Sequence, residues 1–155
     1  MIEVRRGGEA DVDVLIVLFR ETVHAINAHH YAPEQIAVWA PAEIDRTSWL
    51  KRFELNHVFV AECDGKVCGF SELTESGVVH MLYVHRDWQR RGVASALMSS
   101  LEALAESLGL GELTTEASIT AKPFFERRGF SVVTKQKKLL RDMVFLNYRM
   151  RKALR

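Results

Sequence analysis

Cysteine is scarce in this chain. Its 155 residues hold two, Cys63 and Cys68, on either side of Asp64-Gly65. Two cysteines build neither a disulfide scaffold nor a zinc site. As diagonal neighbours across a two-residue turn they are expected to stay unpaired, which suits a reducing, cytoplasmic setting. No apolar run reaches the length that crosses a bilayer, so no membrane partner is expected. Met1-Ile2-Glu3-Val4 lacks the charged start and apolar run of an export signal. Neither sign of charge dominates: 21 Lys and Arg against 20 Asp and Glu leave a formal net charge of +1. That balance excludes the broad basic face of a nucleic-acid binder. Repeats, low-complexity tracts and linkers are missing, and so is any carboxylate pattern that would hold a metal. What remains is 48% apolar residues with interspersed charge, enough for one packed core. Residues 1–150 read as a single domain and 151–155 as a basic tail.

The most informative stretch runs from Val78 to Gly109. Val78–Val84 (VVHMLYV) is apolar and β-rich, and is expected as a strand buried on both faces. His85-Arg86-Asp87-Trp88 is a polar break. From Gln89 on, a long amphipathic helix begins. Its stripe is Leu97, Leu101, Leu104 and Leu108, widened by Ala94, Met98 and Ala105, and Gly109 stops it. A helix start carries unpartnered N–H groups and a partly positive dipole end. Small residues at Gly92 and Ala94 leave those amides open, and Arg90 and Arg91 add positive charge. Together these features describe a site for phosphate or pyrophosphate. No Gly-Lys-Ser/Thr follows Gly92, so a nucleotide-hydrolysing loop does not fit.

Gln-x-x-Gly-x-Ala between a strand and a long helix resembles the acyl-CoA signature of the GNAT-type N-acetyltransferases. The resemblance implies that Gln89, Arg90, Arg91, Gly92, Val93, Ala94 and Ser95 cradle the pyrophosphate of acetyl-CoA. It implies that the backbone of Leu82, Tyr83 and Val84 contacts the pantetheine arm. A second segment, Ala121 to Phe130 (AKPFFERRGF), is similar to the family's Ala-x-x-Phe-Tyr-x-x-x-Gly-Phe. Phe125 stands where many relatives have tyrosine, packing against the thioester end of the coenzyme. Ser118 occupies a position often held by an asparagine that bonds pantetheine; its local alternative is to cap the next helix. Tyr31-Ala32-Pro33-Glu34-Gln35 and Trp39-Ala40-Pro41 resemble a bacterial subgroup of these acetyltransferases.

The rest of the chain fits around this centre. Ile2–Arg5 reads as a strand and Glu9–His30 as one amphipathic helix. Short helices follow at 33–41 and about 42–56. His57–Cys63 and Lys66–Thr74 form a hairpin about Asp64-Gly65. Glu112–Glu116, a strand from Phe130, and Met143–Met150 complete the pattern, with Arg141-Asp142 in the last turn. The order β-α-α-β-β-β-α-β-α-β-β gives an α+β fold, a mostly antiparallel sheet with helices on both faces. It matches the GNAT (acyl-CoA N-acyltransferase) fold from end to end.

The implied reaction is direct attack of a primary amine on the thioester of acetyl-CoA in a ternary complex, on a small molecule or a peptide. An alkylammonium must first lose a proton held at a pKa of about 10.4. His80, on the central strand, is the first candidate base, with Glu116 second and Glu72 third. A free N–H near Leu82 is the expected oxyanion donor. Phenylalanine at 125 cannot protonate the leaving thiolate. Unassisted departure, water, or Tyr31, Tyr83 or Tyr148 remain. Tyr31, Trp39 and His30 are the expected acceptor contacts. The resemblance allows a homodimer. The alternative from another class is a non-catalytic acyl-CoA-binding sensor or regulatory domain.

Overall fold

The computed structural model describes residues 1–154. In chain order its elements are β1 (Ile2–Arg6), α1 (Val12–Ala25), α2 (Pro33–Trp39), α3 (Arg46–Leu55), β2 (His57–Cys63), β3 (Lys66–Leu73), β4 (Val78–Val84), α4 (Val93–Ser107), β5 (Glu112–Ser118), α5 (Lys122–Arg127), β6 (Ser131–Leu140) and β7 (Met143–Ala153). The seven strands form one sheet in the order β1-β2-β3-β4-β5-β7-β6. Every neighbouring pair is antiparallel except β4 and β5. This is the α+β architecture expected from the residues. Among the described residues no helix is long and apolar enough to cross a membrane.

Each face of the sheet has its own core. Leu97, Met98, Leu101 and Ala105 of α4 pack on Val79, Leu113 and Met150. Leu15, Phe19 and Val23 of α1 pack with Trp49, Phe53, Val60 and Phe70 on the opposite face. Alternation along β2 and β3 feeds both cores, which is why these strands are almost wholly buried. Gly69 lets α4 approach closely: a Cβ there would meet Val93 Cγ1 at 2.8 Å.

Several expectations need correction. The helix expected over Glu9–His30 is regular only from Val12 to Ala25, with tighter 3-10 turns at Glu9–Asp11 and Asn27–His29. Past Ile26 the backbone bonds tighten to i→i+3, from the His29 N–H to Ile26 O and from the His30 N–H to Asn27 O. The helix expected from Ala42 starts at Arg46, because Asp45 accepts hydrogen bonds from the N–H groups of Thr47 and Ser48. Leu108 lies past the end of α4 and is 43% exposed, so the buried stripe stops short of it. β4 is not buried on both faces; most of it is half-open. β7 runs on to Ala153, where Arg151, Lys152 and Ala153 pair with Thr114, Leu113 and Glu112 instead of forming a tail.

The cysteine expectation also fails, since Cys63 and Cys68 are joined by a disulfide. The pairing of β2 with β3 slips at Ala61/Glu62, so that Glu62 faces Val67 while Ala61 faces Gly69. Cys68 is the extra residue of that bulge, and its Cα comes to 5.9 Å from that of Cys63. A regular hairpin would have kept the two diagonal.

Candidate functional site

The site begins with a failure of strand pairing. β4 and β5 pair only at Val78–Thr114 and Val79–Thr115. The Thr115 hydroxyl donates to Val79 O at 2.9 Å and closes the joint. Beyond it the two strands part. His80 marks the point of divergence. On the β3 side Leu73 faces Val79 and Glu72 faces Met81, which leaves His80 as the unpaired residue of a bulge.

Past the bulge, β4 presents one edge to the gap. The N–H of His85 donates to Cys68 O on β3. Strand alternation puts Tyr83 on that same edge and turns the amides of Leu82 and Val84 the other way. The carbonyl of Val84 agrees, accepting from Gln89 Nε2 at 2.7 Å and from the Thr22 hydroxyl at 3.2 Å. Leu82 and Val84 side chains pack toward α4, whereas Met81 and Tyr83 pack toward α1.

The loop into α4 follows. Arg90 and Gly92 both lie in the left-handed region, at φ 61° and 86°. Gly92 caps α4 with no side-chain hydrogen bond to its first turn. The Ala96 N–H makes the first intrahelical bond, to Gly92 O. The N–H groups of Val93, Ala94 and Ser95 precede it and face the cleft mouth without a side-chain cap. Gln89 does not point outward; its amide braces Val84. Arg91 stacks over Trp88 at 5.1 Å and does not line the cleft, whereas Arg90 does.

From this loop a cleft of about 1480 Å³ runs along β4 and through the gap between the strands. Its near end is bordered by Trp88, Gly92, Ser95, Phe124 and Arg127. Phe125 borders it from within the core, 2% exposed and edge-on to Phe124 and Phe130. Ser118 Oγ accepts from the Ala121 N–H in the turn ahead of α5, but it does not cap that helix: Ala121 itself is the N-cap, and no side chain caps it. The far end is an aromatic chamber under α1, α2 and α3, with Tyr31, Trp39 and Phe145 mutually in contact. The Tyr31 hydroxyl donates to Leu146 O at 2.6 Å and accepts from the Ile119 N–H at 3.0 Å. His30 Nδ1 lies 2.9 Å from the Thr120 hydroxyl. The Ile119 and Thr120 bonds bridge the gap from the helical side to the β5–α5 turn, and the Leu146 bond reaches β7.

The three candidate bases separate sharply. His80 is open to the cleft. Loss of water around its ring lowers its pKa from 6.5, and Arg52 pushes the same way, against Glu72 and Glu116. Glu116 also lines the cleft, but it accepts from Gln136 Nε2 at 2.7 Å and from Lys138 Nζ at 3.1 Å. Partial burial opposes its ionisation, yet these two donors hold its pKa below the ordinary carboxylate value. Glu72 is fully buried. Arg52 Nε contacts both its oxygens at 2.8 and 2.9 Å, and Asn56 Nδ2 donates at 2.9 Å. It does not line the cleft. Of the tyrosines, Tyr148 lies under Lys122 away from the cleft, and the Tyr31 hydroxyl is committed at both ends. Tyr83 lines the cleft, and burial pushes its hydroxyl far above the usual range.

Sequence reasoning missed Lys138 and Asn147, which line this chamber, and Gln136, which holds Glu116 without lining it. They sit on β6 and β7, which carry no motif; β6 shows no apolar alternation, and its register slips at Val132/Thr134. Only the register Gln136–Asn147–Ser118 brings them to the gap.

A family profile described as the acetyltransferase (GNAT) domain matches residues 27–152. YafP of Escherichia coli (strain K12), an uncharacterized N-acetyltransferase, is 39% identical over 150 residues, which span 97% of this chain and 95% of that protein. A GCN5-related N-acetyltransferase from Rhodopseudomonas palustris superimposes with a TM-score of 0.94 at 30% identity, over 98% of this chain and 95% of that one. The PaiA N-acetyltransferase of Thermoplasma acidophilum, solved with coenzyme A, shares the fold: TM-score 0.82 at 20% identity, with 99% of each chain covered.

Proposed function

The chain belongs to the GNAT acetyltransferase family and is an N-acetyltransferase, and on that premise we propose that it moves the acetyl group of acetyl-CoA to a primary amine of a small molecule or peptide, by direct attack in a ternary complex. One observation carries the reading: the uncapped amides of Val93, Ala94 and Ser95 open onto the same cleft as the gap-facing edge of β4. A pyrophosphate held at the helix start lays an extended arm beside Leu82 and Val84. The thioester then stands at the divergence of the strands, next to His80.

In this reading the chain's own groups divide the work. Gly92 gives the phosphates room, and Arg90 adds charge. The Leu82 N–H donates to the oxyanion as the amine attacks. His80, neutral at pH 7, takes the proton that the acceptor ammonium loses to become the attacking amine, directly or through one water. Glu116 stays ionised and steadies the imidazolium that forms. No tyrosine is assigned to the leaving thiolate. With an ordinary thiol pKa near 8.5 it departs unassisted or takes a proton from solvent.

Calorimetric titration with acetyl-CoA, followed by thiol release over a panel of primary amines, tests the proposal. Tight binding with amine-dependent thiol release is expected. Binding without release on any amine would favour the non-catalytic sensor.

A further inference from the structure

One buried polar atom of a cleft-lining residue has no partner. Asn147 Oδ1, on β7, is buried and receives no hydrogen bond from any described residue. Its neighbours are otherwise engaged. Gln136 stands opposite it on β6 but donates to Glu116. Lys138 reaches past it to Glu116 as well. The nearby Tyr31 hydroxyl gives its proton to Leu146 O. Asn147 itself lines the cleft, on the chamber side with Phe145. Orphaned buried acceptors are uncommon and costly, and a ligand that supplies the missing donor is correspondingly favoured.

We propose that Asn147 is the specificity-determining residue of the acceptor chamber, and that it pairs with an amide group carried by the acceptor amine. The proposal rests on the acetyl-transfer reading of the same cleft. An amide complements a carboxamide in either orientation, since each has one donor and one acceptor face. β7 lies two strands from β4, and at the level of Asn147, opposite Ser118, β4 and β5 have already parted, so the span exceeds two ordinary strand spacings. The asparagine side chain covers part of that span, so the amide belongs several bonds from the reacting nitrogen. Between them the aromatic walls of Tyr31, Trp39 and Phe145 suit an apolar linker. The acceptor is thus an amino amide, peptide-like at its distal end, instead of a plain alkylamine.

Titrating the coenzyme A-loaded protein with ω-amino amides of two to five methylenes, each against the n-alkylamine of equal length, tests this. At one length the amide is expected to bind about tenfold tighter than its alkylamine. Asn147→Leu should bring that ratio near one. Asn147→Ser, which keeps a polar group but loses the reach, should do the same and guards against a folding defect in the first variant. A wild type without preference at every length, or a preference that survives both substitutions, overturns the assignment. Thiol release from acetyl-CoA is recorded alongside. A preference in binding with no release upholds Asn147 while overturning acetyl transfer; release without any preference does the reverse.

Discussion

His80 is the one candidate base that the cleft leaves free. A base works only unprotonated, so activity should fall on the acid side as the imidazole picks up its proton. Because burial and Arg52 outweigh Glu72 and Glu116, that fall is expected below pH 6.5, with a plateau through neutrality. His80→Gln should abolish the acid limb and lower kcat roughly 10²-fold, with acetyl-CoA affinity unchanged. A pH–rate profile of the variant that keeps the limb would remove His80 from the role. Gly92 is tested differently. Its φ of 86° strains any side chain, although a Cβ would find open space, with Ile2 Cδ1 at 3.9 Å. Gly92→Glu adds a like charge where phosphate is expected. Calorimetry should show acetyl-CoA affinity reduced more than 100-fold, well beyond the effect of a strain of about 1 kcal/mol on folding.

At the scale of elements, α4 is anchored away from its ligand end. Glu102 accepts from Arg128 Nε at 3.2 Å and from Lys152 Nζ at 3.0 Å, tying α4 to the end of α5 and to β7. Burial works against the charge, but these two cations hold the Glu102 pKa below its ordinary 4.5. A lowered carboxylate pKa contributes stability above the unfolded value and loses it as pH falls through the folded one. Glu102→Gln should therefore cost about 1–3 kcal/mol at pH 7, and the gap to wild type should close below pH 4.5 in denaturant titrations. The elements themselves were largely legible in the sequence. Asp64-Gly65 and Arg141-Asp142 sit in left-handed turns, and β4 falls where the local pattern put it, but the helix expected from Gln89 starts at Val93, because Arg90 and Gly92 take left-handed conformations that keep Gln89–Gly92 in the loop. What escaped was set by register. The bulge that pairs Cys68 with Cys63, the half-open state of β4, and the extension of β7 beyond Met150 all depend on a partner strand. The orientation of Arg91 escaped for a related reason: residue type gives its charge, but only packing turns it onto Trp88.

The whole molecule is two cores on one sheet, and the gap between β4 and β5 passes from one to the other. The coenzyme end was readable because loop, glycine and helix are consecutive. The acceptor end was readable only in part: the motif around α2 pointed to His30, Tyr31 and Trp39, which line the cleft, whereas the contributions of β5 and the β6–β7 hairpin carry no motif. Tyr31 was named as an acceptor contact, and its ring does line the chamber, but its hydroxyl serves to hold the gap closed on the far side. Tyr31→Phe removes a donor to Leu146 O and an acceptor for the Ile119 N–H while leaving the ring against Trp39 and Phe145. The two halves should then separate more easily at that end, with a stability loss of about 1–3 kcal/mol. Because the phosphate loop lies at the opposite end of the cleft, acetyl-CoA affinity should not move, while KM for the amine rises several-fold. Parallel measurement of both constants checks this. A loss confined to the coenzyme would mean that the bridge supports β4 and the loop, not the acceptor chamber.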